Sequence, residues 1–173
     1  MEKKTPLYKA HVAAGGKIVP FAGYLLPVQY PTGVIAEHKA VRTACGLFDV
    51  SHMGEIRLSG PGALTTLNHL MTNDYTGLAV GRVRYSAMCS ETGGVIDDLV
   101  VYRMAEDEYL IVVNAANREK DAAHIRANLL TETVMEDISD QTAQLALQGP
   151  KAAAVLAKLT DAACLPRKYY SFT

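Results

Sequence analysis

The sequence has little net charge and little cysteine, and these two shortages exclude several classes of protein. Its 17 basic and 18 acidic residues give a formal net charge of -1, so nothing attracts nucleic acid or anionic membrane broadly. Cys45, Cys89 and Cys164 are far apart and form no C-x-x-C pair, which argues against a disulfide framework and a zinc site. We therefore expect reduced thiols, no bound metal, and a small-molecule or protein partner.

Long apolar runs are also absent. No stretch reaches the roughly 18 apolar residues of a membrane helix, and no apolar segment follows the basic start MEKKTPLYKAH as in a secretion signal. We therefore expect a cytoplasmic protein with no membrane contact. Hydrophobic residues nevertheless make up 49% of the 173 residues, which is enough to bury a core in one domain or in two small ones.

Two periodicities divide the chain into helices and strands. Apolar residues at helical spacing predict helices over residues 34–45, 61–73, 117–130 and 151–159, with Asn117 as a possible cap of the third. A two-residue rhythm predicts extended segments over residues 46–60, 82–89, 95–104, 108–116 and 141–148. The three middle segments are joined by short turn-rich links, which predicts an antiparallel sheet in an α+β fold.

Two adjacent acids, Asp97 and Asp98, interrupt the apolar strand GGVIDDLVVYR. Alternate residues of a strand face opposite sides, so the two carboxylates have different surroundings. We expect Asp97 to be solvated or close to Arg103. Asp98 shares a face with Ile96 and Val100, where burial would require a partner or a ligand. From the residues alone, a structural role for either acid stays open beside a functional one.

Asn114 ends the following strand, and its position depends on the hairpin tip. A three-residue tip brings Asn114 opposite Asp98, whereas a two- or four-residue tip puts it on the other face. A third possibility is that Asn114 only closes the strand as a turn residue. The sequence leaves these alternatives open.

Other motifs carry little chemistry. Asp49, Ser51 and His52 are neighbours, but triad residues rarely come from one strand and there is no G-x-S-x-G elbow. We interpret His52 as a hydrogen-bonded structural histidine. The glycine pairs match no phosphate loop, and the two acids lack the spacing of a calcium loop.

Seven segments taken in order resemble the aminomethyltransferase of the glycine cleavage system, the T-protein. They are TPLYKAH, FAGYLLPVQY, AVRTACGLFDVSHMGE, MTND, GGVIDDLVVY, VVNAANREKD and LALQGP. The resemblance implies a bacterial cytoplasmic enzyme that takes an aminomethyl group from the lipoyl arm of the H-protein. It would pass the carbon to tetrahydrofolate, giving methylenetetrahydrofolate and ammonia.

The resemblance also implies an architecture and a site. A Greek-key-like antiparallel domain over residues 51–140 would be inserted in a discontinuous domain formed by residues 1–50 and 141–173. Asp98 would be the catalytic residue, holding and polarising the folate nitrogen. Met53, Tyr85, Tyr102 and Asn114 would line the cavity for the pterin and aminobenzoyl groups.

The chain departs from the family pattern in two ways. Tyr24 stands where members usually have tryptophan, and members are about twice as long, with a later G-Y-T-G-E segment and folate-facing Arg and Glu. We interpret Tyr24 as a tolerated aromatic exchange. The shorter length and the missing later segments predict an amino-terminal fragment, truncated at its carboxyl end, inactive alone and prone to self-association through exposed edges. Two alternatives share the fold: a folate-dependent demethylase, and a folate-binding scaffold without transferase activity.

Overall fold

The computed structural model describes residues 2–166 and 168–173. The chain divides into two compact units. Unit 1 is formed by Met1–His52 and Ala143–Leu165, and unit 2 by Met53–Thr142 and Pro166–Thr173. Within the described residues, none of the helices combines the length and the apolar character needed to cross a bilayer.

Strands and helices are mixed along both units. The strands are β1 (Lys3–Lys4), β2 (Ile18–Phe21), β3 (Tyr24–Pro27), β4 (Gly46–Asp49), β5 (Gly54–Ser59), β6 (Val83–Cys89), β7 (Val95–Ala105), β8 (Glu108–Val113), β9 (Val134–Asp137) and β10 (Leu145–Gln148). The α-helices are α1 (Tyr8–Ala13), α2 (Val34–Thr43), α3 (Ala63–Leu70), α4 (Arg118–Ala127) and α5 (Ala152–Leu156). The predicted α+β class is observed.

Unit 1 contains two small sheets. In one, β3 pairs antiparallel with β2 and parallel with β1, and the β2–β3 turn has positive φ at Ala22 and Gly23, as a tight hairpin of this kind requires. In the other, β4 pairs antiparallel with β10, from Gly46↔Gln148 to Asp49↔Leu145. The chain therefore leaves unit 1 and returns to complete a sheet that β4 began. This pairing supports the proposal of a discontinuous domain.

Unit 2 is built on a five-stranded antiparallel sheet in the order β6-β7-β8-β5-β9. The apolar core includes strand residues such as Ile56, Val101 and Ile111 together with Leu67 of α3 and Ile125 of α4. The sheet therefore has a core face, which packs with these helices, and an opposite face, which carries the alternate residues of each strand.

The end of the chain differs from the predicted domain boundaries. Residues 166–173 belong to unit 2 rather than to unit 1. The Val83 amide donates to the Tyr170 carbonyl at 3.0 Å, and the Phe172 and Tyr102 rings meet edge to face with centroids 5.5 Å apart. At its Val83 end, the outer edge of β6 is bonded by this tail, which brings the tail to the sheet.

The two units differ in how much they bury. The core cluster of buried apolar side chains lies in unit 2, whereas the buried apolar side chains of the described part of unit 1 are Tyr24 and Leu26. Unit 1 instead exposes apolar side chains on α2, β4 and β10. These are Val34, Ile35, Leu47, Phe48 and Leu145.

Candidate functional site

The two acids of β7 face opposite sides of the sheet, but their surroundings are the reverse of those predicted. Asp97 is buried at 5% exposure beside the core residues Leu99 and Val101, whereas Asp98 is exposed. The prediction of a solvated Asp97 and an Asp98 among buried apolar neighbours is therefore wrong. β7 is apolar on both faces, so its pattern could not show which face packs against the helices.

Asp98 has a hydroxyl donor on the neighbouring strand. β6 and β7 are paired so that Asp98 lies opposite Ala87 and Tyr85 opposite Val100, which leaves Tyr85 diagonal to Asp98 on the same face. The Tyr85 hydroxyl donates a hydrogen bond to Asp98 Oδ2, and this bond is the main cause of the raised pKa of Tyr85. Tyr85 therefore stays protonated at neutral pH and acts as a donor.

Asn114 connects the two acids. The β7–β8 register pairs Val100 with Val112, which brings Asn114, one residue beyond β8, beside Asp98. Its Nδ2 donates to Asp97 Oδ1 at 3.0 Å and to the Asp98 carbonyl at 2.9 Å. Because both contacts require a donor, the amide is oriented with Oδ1 directed away from them. Of the positions that the sequence left open, the structure shows the one next to Asp98.

Met53 and Tyr102 lie at the edges of this arrangement. Met53 directly precedes β5, whose first residue, Gly54, pairs with Val113 next to Asn114. Met53 therefore reaches the same end of the sheet as Asn114. Tyr102 is four residues along β7 from Asp98 and on the same face, but it is half-buried against Phe172. The structure thus brings Asp98, Tyr85 and Asn114 into one hydrogen-bonded group and leaves Tyr102 apart from it.

Sequence reasoning missed the polar network behind Asp98. Burial would raise the pKa of Asp97, but the nearby Asp121 and the hydrogen bonds donated by Asn114 and Asn117 outweigh burial, and the pKa is lowered. Asn117 occupies the N-cap position of α4, as predicted, but its side chain makes no cap hydrogen bond. Its Nδ2 instead donates to Asp97 Oδ1 at 2.8 Å. The signal in the sequence was the pair of asparagines three residues apart, which the 3₁₀ turn Ala115–Asn117 puts on one side.

The hydrolase-like trio of unit 1 forms no catalytic triad. Asp49 Oδ2 bonds His11 Nε2 at 2.8 Å, and the other ring nitrogen of His11 lies 2.7 Å from the Tyr30 hydroxyl. His52 Nδ1 is buried with no hydrogen-bond partner among the described residues, and its ring meets the edges of Phe21 and Tyr24. His52 is held by aromatic packing, and burial lowers its pKa.

The described part of the chain contains no preformed cluster of metal-ligating side chains. No group of three or more His, Cys, Asp or Glu side chains there is arranged to hold an ion. The polar residues around Asp98 are instead one carboxylate, one phenol and one amide, which suit hydrogen bonding to an organic ligand.

Comparisons with known proteins give these residues a family context. Aminomethyltransferases from Halothermothrix orenii and Thermus thermophilus are 49% and 56% identical over 99% and 92% of this chain. The crystal structure of the glycine cleavage system aminomethyltransferase T from Bartonella henselae superposes with a TM-score of 0.87 at 40% identity and covers 91% of the chain.

This chain spans about half the length of the proteins it matches, namely 48%, 46% and 44% of these three. The family model described as the GCVT N-terminal domain matches residues 7–173. The family match extends along almost the whole sequence, and we conclude that the chain belongs to the GCVT N-terminal domain family.

Proposed function

We propose that this chain serves tetrahydrofolate-dependent aminomethyl transfer from the lipoyl arm of the glycine cleavage H-protein, with methylenetetrahydrofolate and ammonia as products. The observation that carries the proposal is the group formed by Asp98, Tyr85 and Asn114 on the exposed face of the unit 2 sheet. Family membership supports the same reading, because the named relatives are aminomethyltransferases. Their names favour this reaction over folate-dependent demethylation and over a non-catalytic scaffold.

The group suits one edge of a flat, nitrogen-rich heterocycle. Asp98 offers carboxylate oxygens at the surface, and the orientation of the Asn114 amide leaves its Oδ1 as an acceptor. Val100 and Tyr102 continue the same face of β7 as partly buried apolar surface, on which a ring can stack. A few directed polar groups beside apolar surface are typical of a site for such a ligand.

Asp98 would hold and polarise the folate nitrogen that attacks the aminomethyl carbon. A carboxylate accepts a hydrogen bond from a ring N–H and so raises the electron density on that nitrogen. Tyr85, which keeps its proton, fixes the Oδ2 oxygen of Asp98. The Oδ1 oxygen has only a long contact of 3.4 Å with Asn114 Nδ2 and keeps a lone pair with which it would accept from the ligand. Asn114 holds the Asp98 main chain in place. Met53, at the same end of the sheet, would complete the apolar wall.

Ammonia release from aminomethyl-lipoyl H-protein in the presence of tetrahydrofolate tests this function. We would compare the 173-residue chain with a chimaera in which it is joined to the part of the Thermus thermophilus relative that it does not match. The chimaera should release ammonia in proportion to folate. The chain alone should be far slower, because Asp98 is exposed and a water-screened carboxylate polarises weakly.

A chimaera that folds and binds tetrahydrofolate but releases no ammonia would contradict the proposed reaction. Turnover of methylated amines in place of the aminomethyl-lipoyl substrate would support the demethylase alternative. Rapid turnover by the 173-residue chain alone would show that screening by water does not limit Asp98.

A further inference from the structure

Two carboxyl groups meet inside unit 2, behind the exposed site. Asp97 of β7 and Asp121 of α4 are 5% and 0% exposed. Asp121 lies one helical turn after Asn117, whose Nδ2 donates to Asp97 Oδ1 at 2.8 Å, so both acids face the same buried polar cluster. Two ionised carboxylates buried side by side repel each other and can only accept hydrogen bonds, which favours a folded state in which one of them keeps a proton.

The other partners of the pair decide which acid holds the proton. Asp97 Oδ1 accepts hydrogen bonds from the side-chain Nδ2 atoms of Asn117 and Asn114. Asp97 Oδ2 accepts from the backbone N–H of Asn114 at 3.3 Å. Three donors favour the ionised form of Asp97. Neither oxygen of Asp121 has a hydrogen-bond partner among the described residues. The proton therefore belongs on Asp121.

The charges around Asp121 agree with this assignment. Burial, and after it the nearby Asp97, raise the pKa of Asp121 to about 8. The groups that act on it are Asp97 on β7, which packs against α4, and Lys120 on α4 itself, which opposes the shift. Lys120 Nζ is bound to the Ile96 carbonyl at 2.7 Å, so it does not pair with Asp121 directly.

We propose that Asp121 is a positioning residue whose neutral carboxyl donates to Asp97 and so holds Asp97, Asn114 and Asp98 in one fixed arrangement. Asp97 then keeps its oxygens directed at Asn114 and Asn117. Asn114, held from behind, contacts the Asp98 carbonyl at 2.9 Å and presents its own oxygen outward. The consequence for catalysis rests on the proposed function, whereas the chain of hydrogen bonds does not.

The chain of hydrogen bonds can be tested in the unaltered 173-residue protein by NMR. With aspartate ¹³Cγ labelling, Asp121 should remain neutral at pH 6 and ionise near pH 8, and the side-chain amide signals of Asn114 and Asn117 should move in the same step. Titration of Asp121 near pH 4, or side-chain amide signals of Asn114 and Asn117 that do not change when Asp121 ionises, would overturn the proposal. This measurement needs no substitution, so it stands even if a variant fails to fold.

Two substitutions of Asp121 test whether it acts as a hydrogen-bond donor or only fills space in the core. Asp121→Asn keeps a donor of the same shape, so the Asn114 amide signals should stay in place while their pH step disappears. Asp121→Leu keeps the bulk and loses the donor, so the side-chain amide of Asn114 should shift and exchange its protons at least about 10 times faster. Equal spectra for the two variants would overturn the role of the proton.

The same pair of variants in the chimaera connects the network to turnover. Asp121→Asn should retain the kcat of the parent chimaera, and Asp121→Leu should lower kcat more than it raises KM. Altered amide signals with unchanged kcat would keep the network but refute its part in catalysis. Loss of ammonia release in every form, with the predicted spectra intact, would instead count against the proposed function alone.

Discussion

Asp98 combines an exposed carboxylate with few structural duties, so its charge can be removed without a large cost in stability. Asp98→Asn keeps the shape and loses the charge. In the chimaera we expect ammonia release to slow by about 10²-fold, a typical effect of one positioned proton-transfer group. The free energy of unfolding should change by less than about 0.5 kcal/mol, as for most surface substitutions.

Asp107 provides a matched control, because it is an exposed aspartate on the turn between β7 and β8. Asp107→Asn should leave both ammonia release and unfolding unchanged. If Asp107→Asn slowed the reaction as much as Asp98→Asn, the loss would reflect net charge rather than the position of Asp98.

Two buried acids of unit 2 make stability depend on pH. Burial raises the pKa of Glu55 to about 7, although the nearby Arg118 charge opposes the shift, and the pKa of Asp121 is raised to about 8. Both pKa values exceed those of the unfolded chain, so the folded state binds these protons more tightly. The contribution of these two groups to the free energy of unfolding is fully present below about pH 4, where both are protonated in the folded and unfolded states. This contribution is lost as the pH rises towards 8.

Urea denaturation at pH 5 and pH 8.5 measures this loss. The free energy of unfolding should be lower at pH 8.5, with each group contributing at most about 1.4 kcal/mol per pH unit within its window. The lowered pKa values of Asp97 and Asp137 act only below their usual range and so outside this interval. Glu55→Gln should flatten the profile, and a higher stability at pH 8.5 would contradict the assignment.

At the scale of elements, long periodic segments were predictable and short or double-faced ones were not. Helices α2, α3 and α4 fall inside the predicted ranges. In α3 and α4 the helical period reflects an apolar stripe buried in the unit 2 core, whereas α2 has no buried side chain. The strands β1 and β9, of two and four residues, are too short for a period to show. The split of residues 46–60 into β4 and β5 depends on the turn at Ser51, whose amide donates to Asp49 Oδ1.

The candidate site shows the same division. Alternation along β7 correctly separated Asp97 from Asp98, because a strand has a strict period of two. Which face is covered depends on helices far away in sequence, and the pattern of β7 alone does not contain that information. The 3₁₀ turn that aligns Asn114 with Asn117 is likewise a local geometry that apolar spacing does not reveal.

At the scale of the whole molecule, the apolar surface of unit 1 predicts self-association. An open cavity of about 740 Å³ in unit 1 is lined by apolar side chains that include Phe21, Val34, Leu47 and Phe48. The β4–β10 sheet has only two strands, so each strand also has an unpaired edge. Sedimentation velocity of the 173-residue chain should show an average mass that rises with concentration.

Substitution of one exposed leucine tests the surface responsible. Leu47→Lys puts a charge on β4 inside the apolar cavity and should shift the association to higher concentration by at least about 10-fold. Leu159→Lys is the control, since Leu159 is 81% exposed and does not line that cavity. A monomer at all concentrations, or equal effects of the two substitutions, would contradict association through this surface.

The pairing of β4 with β10 also sets an order of events on the ribosome. Synthesis runs from the amino terminus, so β4 emerges early and has no partner strand until Leu145–Gln148 has been made. The residues between them include all five strands of the unit 2 sheet, which can fold while Leu47 and Phe48 remain bare. Nascent chains stalled with residues up to 142 outside the ribosome should therefore contain a protease-resistant sheet and a protease-sensitive β4 segment that chaperones can bind. Protease resistance of both would show that β4 pairs with another segment during translation.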